Sequence, residues 1–457
     1  MDCEELGRVL DARGFAFAVL YGRRRVGKTR LLLETLKGRN YVYYLAVEKE
    51  NLRYFSASLV QKFPKAANLK EDWGVLLDFL KDNAAVLVID EFQNLITEDK
   101  TVLSLFQRAI DTSLKESELK LVALGSSVSM IMSELLQYRS PLYGRRTYTK
   151  KVAALSFLSI KGFFPKVSME ELAEIYGFAD GIPYYLEKVL PPFWSWLENE
   201  LRSPSFVKDE LDFMLRYEFE DLGTYKVILE AIAKGKTVVS EIKDYARMQR
   251  TDVSPYLSKL INTGFIRREL PLTEPVTSKR GRYYIEDQFV AFWFRFIYPN
   301  LSNLEEGIYS ASNVRKDYSQ YMGAVFEKIC KQVLIELIRR GRLNYDKVGK
   351  WWHKDSEIDV MAVNSEKKEV LFAECKWQHN VVPHQVLARL KEKTGHVMWN
   401  NEYRKEKYAI FAKSFKEKNL EEENILLFDL KEIEKLLEAL PFSINCGIEK
   451  GNKSCVS

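Results

Sequence analysis

Cysteine and histidine are scarce in this chain. Of 457 residues, five are cysteine and four are histidine, and no two cysteines have the C-x-x-C spacing of a zinc or redox motif. This usage argues against a disulfide framework and a zinc site, and it favours a reducing, cytoplasmic setting. The histidines lack metal-ligand spacing, so we do not expect histidine-based catalysis; they are His353, His379, His384 and His396.

Long hydrophobic runs are also missing. No apolar run approaches the roughly 18 residues that a membrane-spanning helix requires. The acidic start, residues 1–5, lacks the basic region of a signal peptide. A chain of 457 residues is too long for one core, so several domains are expected. These absences predict a cytoplasmic, multidomain protein without a membrane partner.

Residues 22–29 match the phosphate-binding pattern G-x-x-x-x-G-K-[ST]. An apolar run at residues 15–21 precedes the pattern and a leucine-rich run follows it, which is the strand–loop–helix context that the motif requires. The glycines let backbone N–H groups face a phosphate chain, and the helix N-terminus adds positive charge. We expect Lys28 to reach the phosphates and Thr29 to bind Mg²⁺. The predicted nucleotide-binding residues here are Gly22, Arg25, Val26, Gly27, Lys28, Thr29 and Arg30.

Two acids follow a second apolar run, residues 86–89. Acids at the end of a buried parallel strand lie at the sheet edge where α/β proteins bind ligands. Asp90 is expected to hold Mg²⁺ through water, and Glu91 to orient the hydrolytic water as a base. A third apolar run ends at Ser126 and Ser127. Either serine is a candidate sensor of the γ-phosphate or an N-cap of the next helix, and the two roles are compatible.

Strand-like and helix-like segments alternate up to about residue 150, which predicts a parallel sheet covered by helices on both faces. The turn at Gly181-Ile182-Pro183 is typical of a lid over a nucleotide, with Pro183 at the ligand, or of a plain interhelical turn. We expect a P-loop ATPase core (1–155), a helical lid (156–222), a winged helix-turn-helix (223–298), a nuclease-like α/β domain (299–445) and a tail (446–457).

The winged helix is predicted from three helical segments and two strands, residues 265–270 and 282–285, around a basic turn. Its third helix would enter a DNA groove, or the domain would instead contact protein. The net charge of +5 is weak evidence by itself, but the basic residues are clustered. The side chains expected to meet phosphates are Lys259, Lys279, Arg280 and Arg282.

Two strands in the last domain, residues 358–363 and 370–376, predict a hairpin. If the hairpin centres on residues 366 and 367, Asp359 lies opposite Glu374, and period-2 alternation puts Lys376 on the same face. Two carboxylates and a lysine suit Mg²⁺-assisted phosphodiester cleavage, and Glu327 on a preceding helix could complete the metal shell. The alternative is an ordinary ion pair on an exposed sheet.

Several motifs together resemble the archaeal ATPase family, a branch of P-loop ATPases close to the AAA+ and STAND groups. They are residues 22–29, 89–93, 125–127, 141–146 and 181–183. Glu357-Ile358-Asp359 with Glu374-Cys375-Lys376 resembles the companion C-terminal domain, which looks like the PD-(D/E)xK nuclease fold. The resemblance implies ATP as ligand, and it places Arg145 and Arg146 where an arginine finger could act, within one chain or across an oligomer.

The sequence therefore predicts an ATP- and Mg²⁺-binding hydrolase that acts on nucleic acid, preferably DNA, with a second metal-dependent catalytic centre in its last domain. One alternative is a nucleotide-dependent switch or regulator whose nuclease-like domain binds DNA without cutting it. Another is a protein-assembly scaffold. A homo-oligomer is allowed by each of these hypotheses.

Overall fold

The structure, a computed structural model, describes residues 2–248, 252–419, 422 and 424–438. The described residues divide after Ala154 into two compact units. The finer division into lid, winged helix and nuclease-like domain stays a prediction, and the predicted tail lies outside the described residues. Within the described ranges, no helix is long and apolar enough to cross a membrane.

The first unit is built on a five-stranded sheet in which every neighbouring pair is parallel. The strand order is β2-β3-β4-β1-β5, which confirms the predicted parallel-sheet core. The strands are β1 Ala16–Tyr21, β2 Tyr41–Leu45, β3 Val86–Asp90, β4 Lys120–Gly125 and β5 Tyr148–Lys151.

Helices cover both faces of this sheet. Alternate residues of β1 enter opposite cores: Phe17 and Val19 join one apolar cluster, and Ala18 and Leu20 join the other. This two-sided burial is the reason that the central strand β1 is apolar throughout, whereas the edge strand β5, Tyr148–Lys151, is polar and alternates in burial. The helices are α1 Asp2–Asp11, α2 Lys28–Thr35, α3 Asn51–Lys62, α4 Trp73–Asn83, α5 Gln93–Glu98, α6 Val102–Thr112 and α7 Val128–Met130, with 3₁₀ turns at Pro64–Asn68, Leu114–Glu116 and Tyr143–Arg145 and a π-helical turn at Ile131–Leu136.

The second unit begins with helices and continues into a small antiparallel hairpin. The three helices directly before the hairpin strands β6 and β7 are Leu222–Ala233, Val239–Tyr245 and Ser254–Asn262, as the winged-helix prediction requires, although this order alone does not establish that fold. The elements are α8 Phe157–Ile160, α9 Met169–Ala179, α10 Pro183–Leu186, α11 Phe193–Arg202, α12 Phe206–Glu218, α13 Leu222–Ala233, α14 Val239–Tyr245, α15 Ser254–Asn262, β6 Ile266–Glu269 and β7 Arg282–Ile285.

A long helix and a mixed five-stranded sheet complete the second unit. The sheet order is β12-β11-β10-β9-β8, with β8, β9 and β10 antiparallel and β10, β11 and β12 parallel. The elements are α16 Gln288–Phe292, a π-helical turn Trp293–Ile297, a 3₁₀ turn Tyr298–Asn300, α17 Leu301–Glu305, α18 Ala311–Arg339, β8 Lys347–His353, β9 Ser356–Asn364, β10 Glu369–Lys376, α19 Pro383–Thr394, β11 Lys405–Ala412, β12 Ile425–Phe428 and α20 Leu430–Glu438.

The β9–β10 hairpin has the predicted register. Asn364 pairs with Glu369 and Val360 pairs with Ala373, so the next position along the ladder sets Asp359 against Glu374. Helix α18, the helix predicted to carry Glu327, starts at Ala311, where the side chain of Asn313 accepts from the backbone N–H of Ser310 and caps the first turn.

Candidate functional site

The P-loop connects β1 to α2 at the carboxyl edge of the parallel sheet. Gly22 is required by close packing, since a Cβ atom there would lie 2.3 Å from the carbonyl oxygen of Val152. Arg25 and Gly27 adopt left-handed backbone angles, with φ of 72° and 89°. These turns, through Val26, bring the loop back to the first residue of α2, Lys28.

Lys28 is folded back onto its own loop. Its ammonium group donates to the carbonyl oxygens of Gly22 and Arg23, at 2.8 Å and 2.9 Å. Burial lowers the pKa of Lys28 to about 8, and the carboxylates of Glu91 and Asp90 act in the opposite sense. A lysine that donates to neutral carbonyl groups can leave them for phosphate oxygens, which carry a full negative charge.

Asp90 lies beside Thr29, as a shared Mg²⁺ site requires. The Thr29 hydroxyl donates to Asp90 Oδ2 at 2.7 Å, so the two predicted metal-binding residues are already in contact. The hydroxyl of Tyr43, on β2, donates to the same oxygen at 2.8 Å. Burial and the hydrogen bond to Asp90 raise the pKa of Tyr43 above its usual range. Sequence reasoning missed Tyr43, whose position in an apolar strand carries no signal of this contact.

Glu91 is held by neutral donors at the ends of β3 and β4. The Ser126 hydroxyl donates to Glu91 Oε2 at 2.5 Å, and the amide of Gln93 donates to the same oxygen. Gln93 also donates to Ser126 Oγ at 3.2 Å. Glu91 itself adopts a left-handed backbone, with φ of 51°. The structure thus joins the predicted base and the predicted sensor in one hydrogen-bonded group.

Four more residues were predicted for the nucleotide site, and each has surroundings of its own. The guanidinium of Arg145 forms an ion pair with Asp111 at 2.7 Å. That of Arg146 lies 5.0 Å from the ring centre of Tyr143 and donates to its carbonyl oxygen. Pro183 is the first residue of α10 in the second unit. Arg30 lies in the first turn of α2. The roles of these four residues stay predictions.

A second set of acids gathers in the C-terminal part of the chain. Oxygen atoms of Glu327, Glu357 and Asp359 all lie within 4.8 Å of one another, close enough to share a cation. Glu327 comes from the middle of α18, and the other two come from β9. We call these three residues the carboxylate cluster. It contains two of the predicted nuclease residues, with Glu357 in the place expected for Glu374.

Basic side chains already neutralise part of this cluster. The ammonium of Lys350, on β8, lies 2.5 Å from Glu327 and 2.8 Å from Glu357. Arg282 of β7 donates to Glu357 at 2.6 Å. Burial alone would raise the pKa of Glu357, but Lys350 and Arg282 outweigh it and lower that pKa. Neither Lys350 nor Glu357 was assigned a role from the sequence.

Asp359 is the least compensated acid of the cluster. One of its oxygens accepts from the backbone N–H of Cys375 at 2.8 Å. Burial, followed by the charges of Glu327 and Glu374, raises the pKa of Asp359 to about 8. Burial also raises the pKa of Glu327, against the effect of Lys350. A cation bound here would relieve this repulsion, and three carboxylates are hard oxygen donors of the kind that Mg²⁺ prefers.

Glu374 is engaged by two lysines rather than by the carboxylate cluster. Lys376, two residues along β10, lies 2.8 Å from its Oε1, and Lys393 of α19 lies 2.8 Å and 2.9 Å from its two oxygens. The predicted approach of Lys376 to Glu374 is therefore present, with Lys393 as an unpredicted third member. Whether Glu374 and Lys376 take part in metal chemistry stays a prediction.

Comparison with known proteins agrees with the predicted ATPase core. Residues 1–189 match an ATPase domain predominantly from Archaea, and residues 293–394 match a family described as "Archaea bacterial proteins of unknown function". A Walker-type ATPase of Pyrococcus abyssi superposes with a TM-score of 0.51 at 22% identity, covering 64% of this chain and 94% of that one, which shows a shared fold. The ORC2 protein of Aeropyrum pernix superposes with a TM-score of 0.42 at 13% identity, over 67% of this chain and 94% of that one.

A relative along nearly the whole chain comes from Methanocaldococcus jannaschii. This uncharacterized protein is 47% identical over 444 residues, which are 94% of this chain and 98% of the relative. The predicted resemblance to archaeal ATPases is confirmed, whereas the likeness of the last domain to PD-(D/E)xK nucleases stays a prediction. The chain therefore belongs to the family of the Methanocaldococcus jannaschii protein, and its first 189 residues match the ATPase domain found predominantly in Archaea.

Proposed function

We propose that this protein hydrolyses ATP and acts on nucleic acid, with a metal-dependent phosphodiester-cleaving centre at the carboxylate cluster. The observation that carries the proposal is the presence of two acidic sites, one at the ends of β3 and β4 and one on α18 and the start of β9, each with a lysine nearby. ATP and Mg²⁺ are the proposed ligands of the first site, and a divalent cation is the proposed ligand of the second.

The first site supports hydrolysis rather than nucleotide binding alone. Lys28 would leave the two loop carbonyls and bind phosphate oxygens, while Thr29 and Asp90 already lie together as metal holders. A bound Mg²⁺ would neutralise charge on the phosphates. Glu91 would orient the attacking water, and Ser126 fixes the carboxylate of Glu91 at 2.5 Å.

The order of helices and strands around the second site supports a role in phosphodiester cleavage. Helix α18, the antiparallel strands β8–β10, helix α19 and the parallel strand β11 follow in sequence, and the cluster draws on α18 and β9. This order is similar to that of PD-(D/E)xK nucleases. A divalent cation at the cluster would polarise a phosphate and activate water. Lys376, half-exposed beside Glu374, is the proposed residue to stabilise developing charge.

The finger role of Arg145 and Arg146 is proposed for an assembly of several copies of this chain. Arg145 would have to leave Asp111, an exposed ion pair whose loss costs about 1 kcal/mol or less. Such a pair is weak enough to open when a neighbouring nucleotide offers three phosphate groups.

Two assays test the proposal separately. Phosphate release from ATP is measured for the wild type and Lys28→Ala, and hydrolysis is expected only from the wild type. Cleavage of single-stranded, duplex and branched DNA and RNA is then scanned with Mg²⁺ and Mn²⁺, comparing the wild type with Asp359→Asn. Metal-dependent cleavage that Asp359→Asn abolishes is the expected result, and a wild type that cuts no substrate would refute the catalytic role of the cluster.

One observation favours a second candidate, a nucleotide-dependent regulator that binds nucleic acid without cutting it. Lys350 lies between Glu327 and Glu357 where a cation would otherwise lie. A cluster neutralised by its own lysine needs no metal for stability. Unaltered metal affinity in Asp359→Asn, together with the absence of cleavage, would establish this candidate over the first.

A further inference from the structure

The β6–β7 hairpin lies directly against the turn that joins β8 to β9. The indole N–H of Trp352 donates to the carbonyl oxygen of Arg280 at 3.2 Å. The guanidinium of Arg280 is 3.2 Å from Nδ1 of His353, and that of Arg282 is 4.8 Å from the ring centre of Trp352. Two segments about seventy residues apart in sequence therefore form one continuous surface.

Exposed basic side chains dominate this surface. Glu274 pairs with Arg280 at 2.9 Å but leaves about half of the arginine side chain exposed, and Asp355 is the exposed acid of the β8–β9 turn. The strands of both hairpins are paired antiparallel, and the exposed cations extend from these strands and from the turns that join them. We call this the composite basic surface; its exposed cations are Arg268, Lys279, Arg280 and Lys354.

The composite basic surface borders the carboxylate cluster. Arg282, which stacks on Trp352, donates to Glu357 of the cluster at 2.6 Å. A polyanion lying along the surface would therefore pass beside the three acids. Repeated negative charge is the feature that fixed cations recognise, and a phosphodiester is the group on which a carboxylate-bound metal acts.

We propose that the composite basic surface binds the sugar–phosphate backbone of nucleic acid. Lys354 of the β8–β9 turn contributes as much to the binding affinity as Lys279 of the β6–β7 turn. This inference rests on the proposed action on nucleic acid. It adds to that proposal the surface that contacts the phosphate groups. The interface then spans two predicted domains, instead of belonging to a winged helix alone.

Binding of a mixed-sequence DNA duplex to the full chain tests the proposal. Fluorescence anisotropy is measured in EDTA without nucleotide, between about 50 and about 200 mM salt. Lys354→Ala is expected to weaken binding several-fold and to flatten the slope of log K against log salt by about 0.9, the effect of one lost phosphate contact. Lys279→Ala should do the same.

The matched control is Lys367→Ala. Lys367 is an exposed lysine in the β9–β10 turn, at the other end of β9, a strand of nine residues or roughly 30 Å. Both substitutions remove one positive charge from the whole protein, so a non-specific charge effect would be equal in the two variants. The control is expected to bind duplex like the wild type.

Each contrary result has a distinct meaning. If Lys354→Ala behaves like Lys367→Ala while Lys279→Ala weakens binding, the composite surface is refuted and the β6–β7 turn acts alone. If the wild type binds an acidic peptide such as polyglutamate more tightly than duplex, a protein partner replaces nucleic acid. If the wild type binds no duplex at any salt concentration, the composite basic surface is refuted as a duplex-binding site, and the scan of single-stranded and branched substrates decides the proposed function separately. If the wild type binds duplex but cleaves no substrate, the binding role of the composite basic surface is retained and only the catalytic role of the carboxylate cluster is refuted.

Discussion

The two acidic sites of this chain hold their carboxylates in opposite ways. In the nucleotide site, neutral hydroxyl and amide groups bind the acids: Thr29 and Tyr43 donate to Asp90, and Ser126 donates to Glu91. In the carboxylate cluster, charged groups bind two of the three acids, because the ammonium of Lys350 contacts both Glu327 and Glu357.

The comparison distinguishes two effects on a carboxylate: a neutral donor orients it, whereas a charged donor also neutralises it. Hydroxyl groups orient a carboxylate and leave its charge available, so a metal ion can bind without displacing a cation. An ammonium group orients and neutralises at once, so a metal ion must compete with it. A buried ion pair is also costly to break from one side, because the remaining charge loses its partner. We therefore expect substitutions in the nucleotide site to reduce activity, and substitutions in the cluster to reduce stability first.

The largest effect is expected from Glu91→Gln. The amide keeps the size of the side chain but removes the base, so ATP hydrolysis should fall by about 100-fold or more while nucleotide affinity is retained. Steady-state phosphate release and nucleotide binding measure the two quantities. Glu98→Gln, in an acid that accepts from the Asn51 amide, serves as the control and should hydrolyse ATP normally. Turnover near wild type in Glu91→Gln would place the base elsewhere.

Lys350→Met tests the other side of the comparison. It removes the ammonium between two half-buried carboxylates, and the metal-free protein should lose about 1 to 3 kcal/mol of unfolding free energy. Mn²⁺ should restore part of that loss by replacing the missing cation. Urea denaturation with EDTA or Mn²⁺ measures both.

The control for this experiment is Lys328→Met, which breaks the ion pair with buried Asp180 outside the cluster. It should destabilise the protein without any response to Mn²⁺. Equal rescue of both variants would show that Mn²⁺ stabilises the fold in general, and the contrast between the two sites would then lose its support.

The pH dependence of stability provides a third test. The pKa of Asp359 is raised from 3.8 to about 8, so the folded chain binds this proton more tightly than the unfolded chain does. Between those two values, the group lowers the free energy of unfolding as pH rises. Asp359→Asn should remove this component, measured by urea denaturation across the window. Glu174, whose pKa burial also raises, remains in both proteins and should give them a shared residual slope.

The smallest effect is expected from Tyr43→Phe. It deletes one of two hydroxyl donors to Asp90 and should cost about 1 kcal/mol of stability, with a modest loss of ATP hydrolysis. The neighbouring substitution Tyr44→Phe removes a hydroxyl that bonds Asn51 instead. It should destabilise to a similar extent and leave hydrolysis unchanged. A loss of activity in Tyr44→Phe of the same size would mean that stability, rather than the contact with Asp90, governs the rate.

The nucleotide site was predictable because its signals are local. A glycine-rich turn between an apolar strand and a helix specifies the loop, and acids at a strand end specify the sheet edge. The β9–β10 register followed in the same way, because a short hairpin turn sets which residues face each other. The opposition of Asp359 to Glu374 follows from a pattern within a few residues, and the parallel sheet follows from the alternation of strand-like and helix-like segments up to about residue 150.

The contents of the carboxylate cluster were not predictable, because they depend on an irregular strand. The pairing of β8 with β9 shifts register between Gly349 and Trp351, where the single residue Lys350 of β8 faces two residues of β9, Asp359 and Val360. A bulge of this kind redirects a side chain away from the direction that period-2 alternation assigns. Glu357 was visible in the sequence, but its role depends on where Lys350 and Arg282 lie. The engagement of Glu374 by Lys393 depends on the packing of α19 against the sheet.

Helix α18 carries two unrelated attachments on consecutive residues. Glu327 belongs to the carboxylate cluster, and Lys328 donates to Asp180, the residue just before the Gly181-Ile182-Pro183 turn. Consecutive residues of an α-helix are separated by a rotation of about 100° and a rise of about 1.5 Å along the axis. The helix therefore fixes the relative positions of the Glu327 and Lys328 backbones. Both side chains belong to the same 29-residue helix. A conformational change of the turn that displaced the helix through Lys328 would therefore also displace the Glu327 carboxylate.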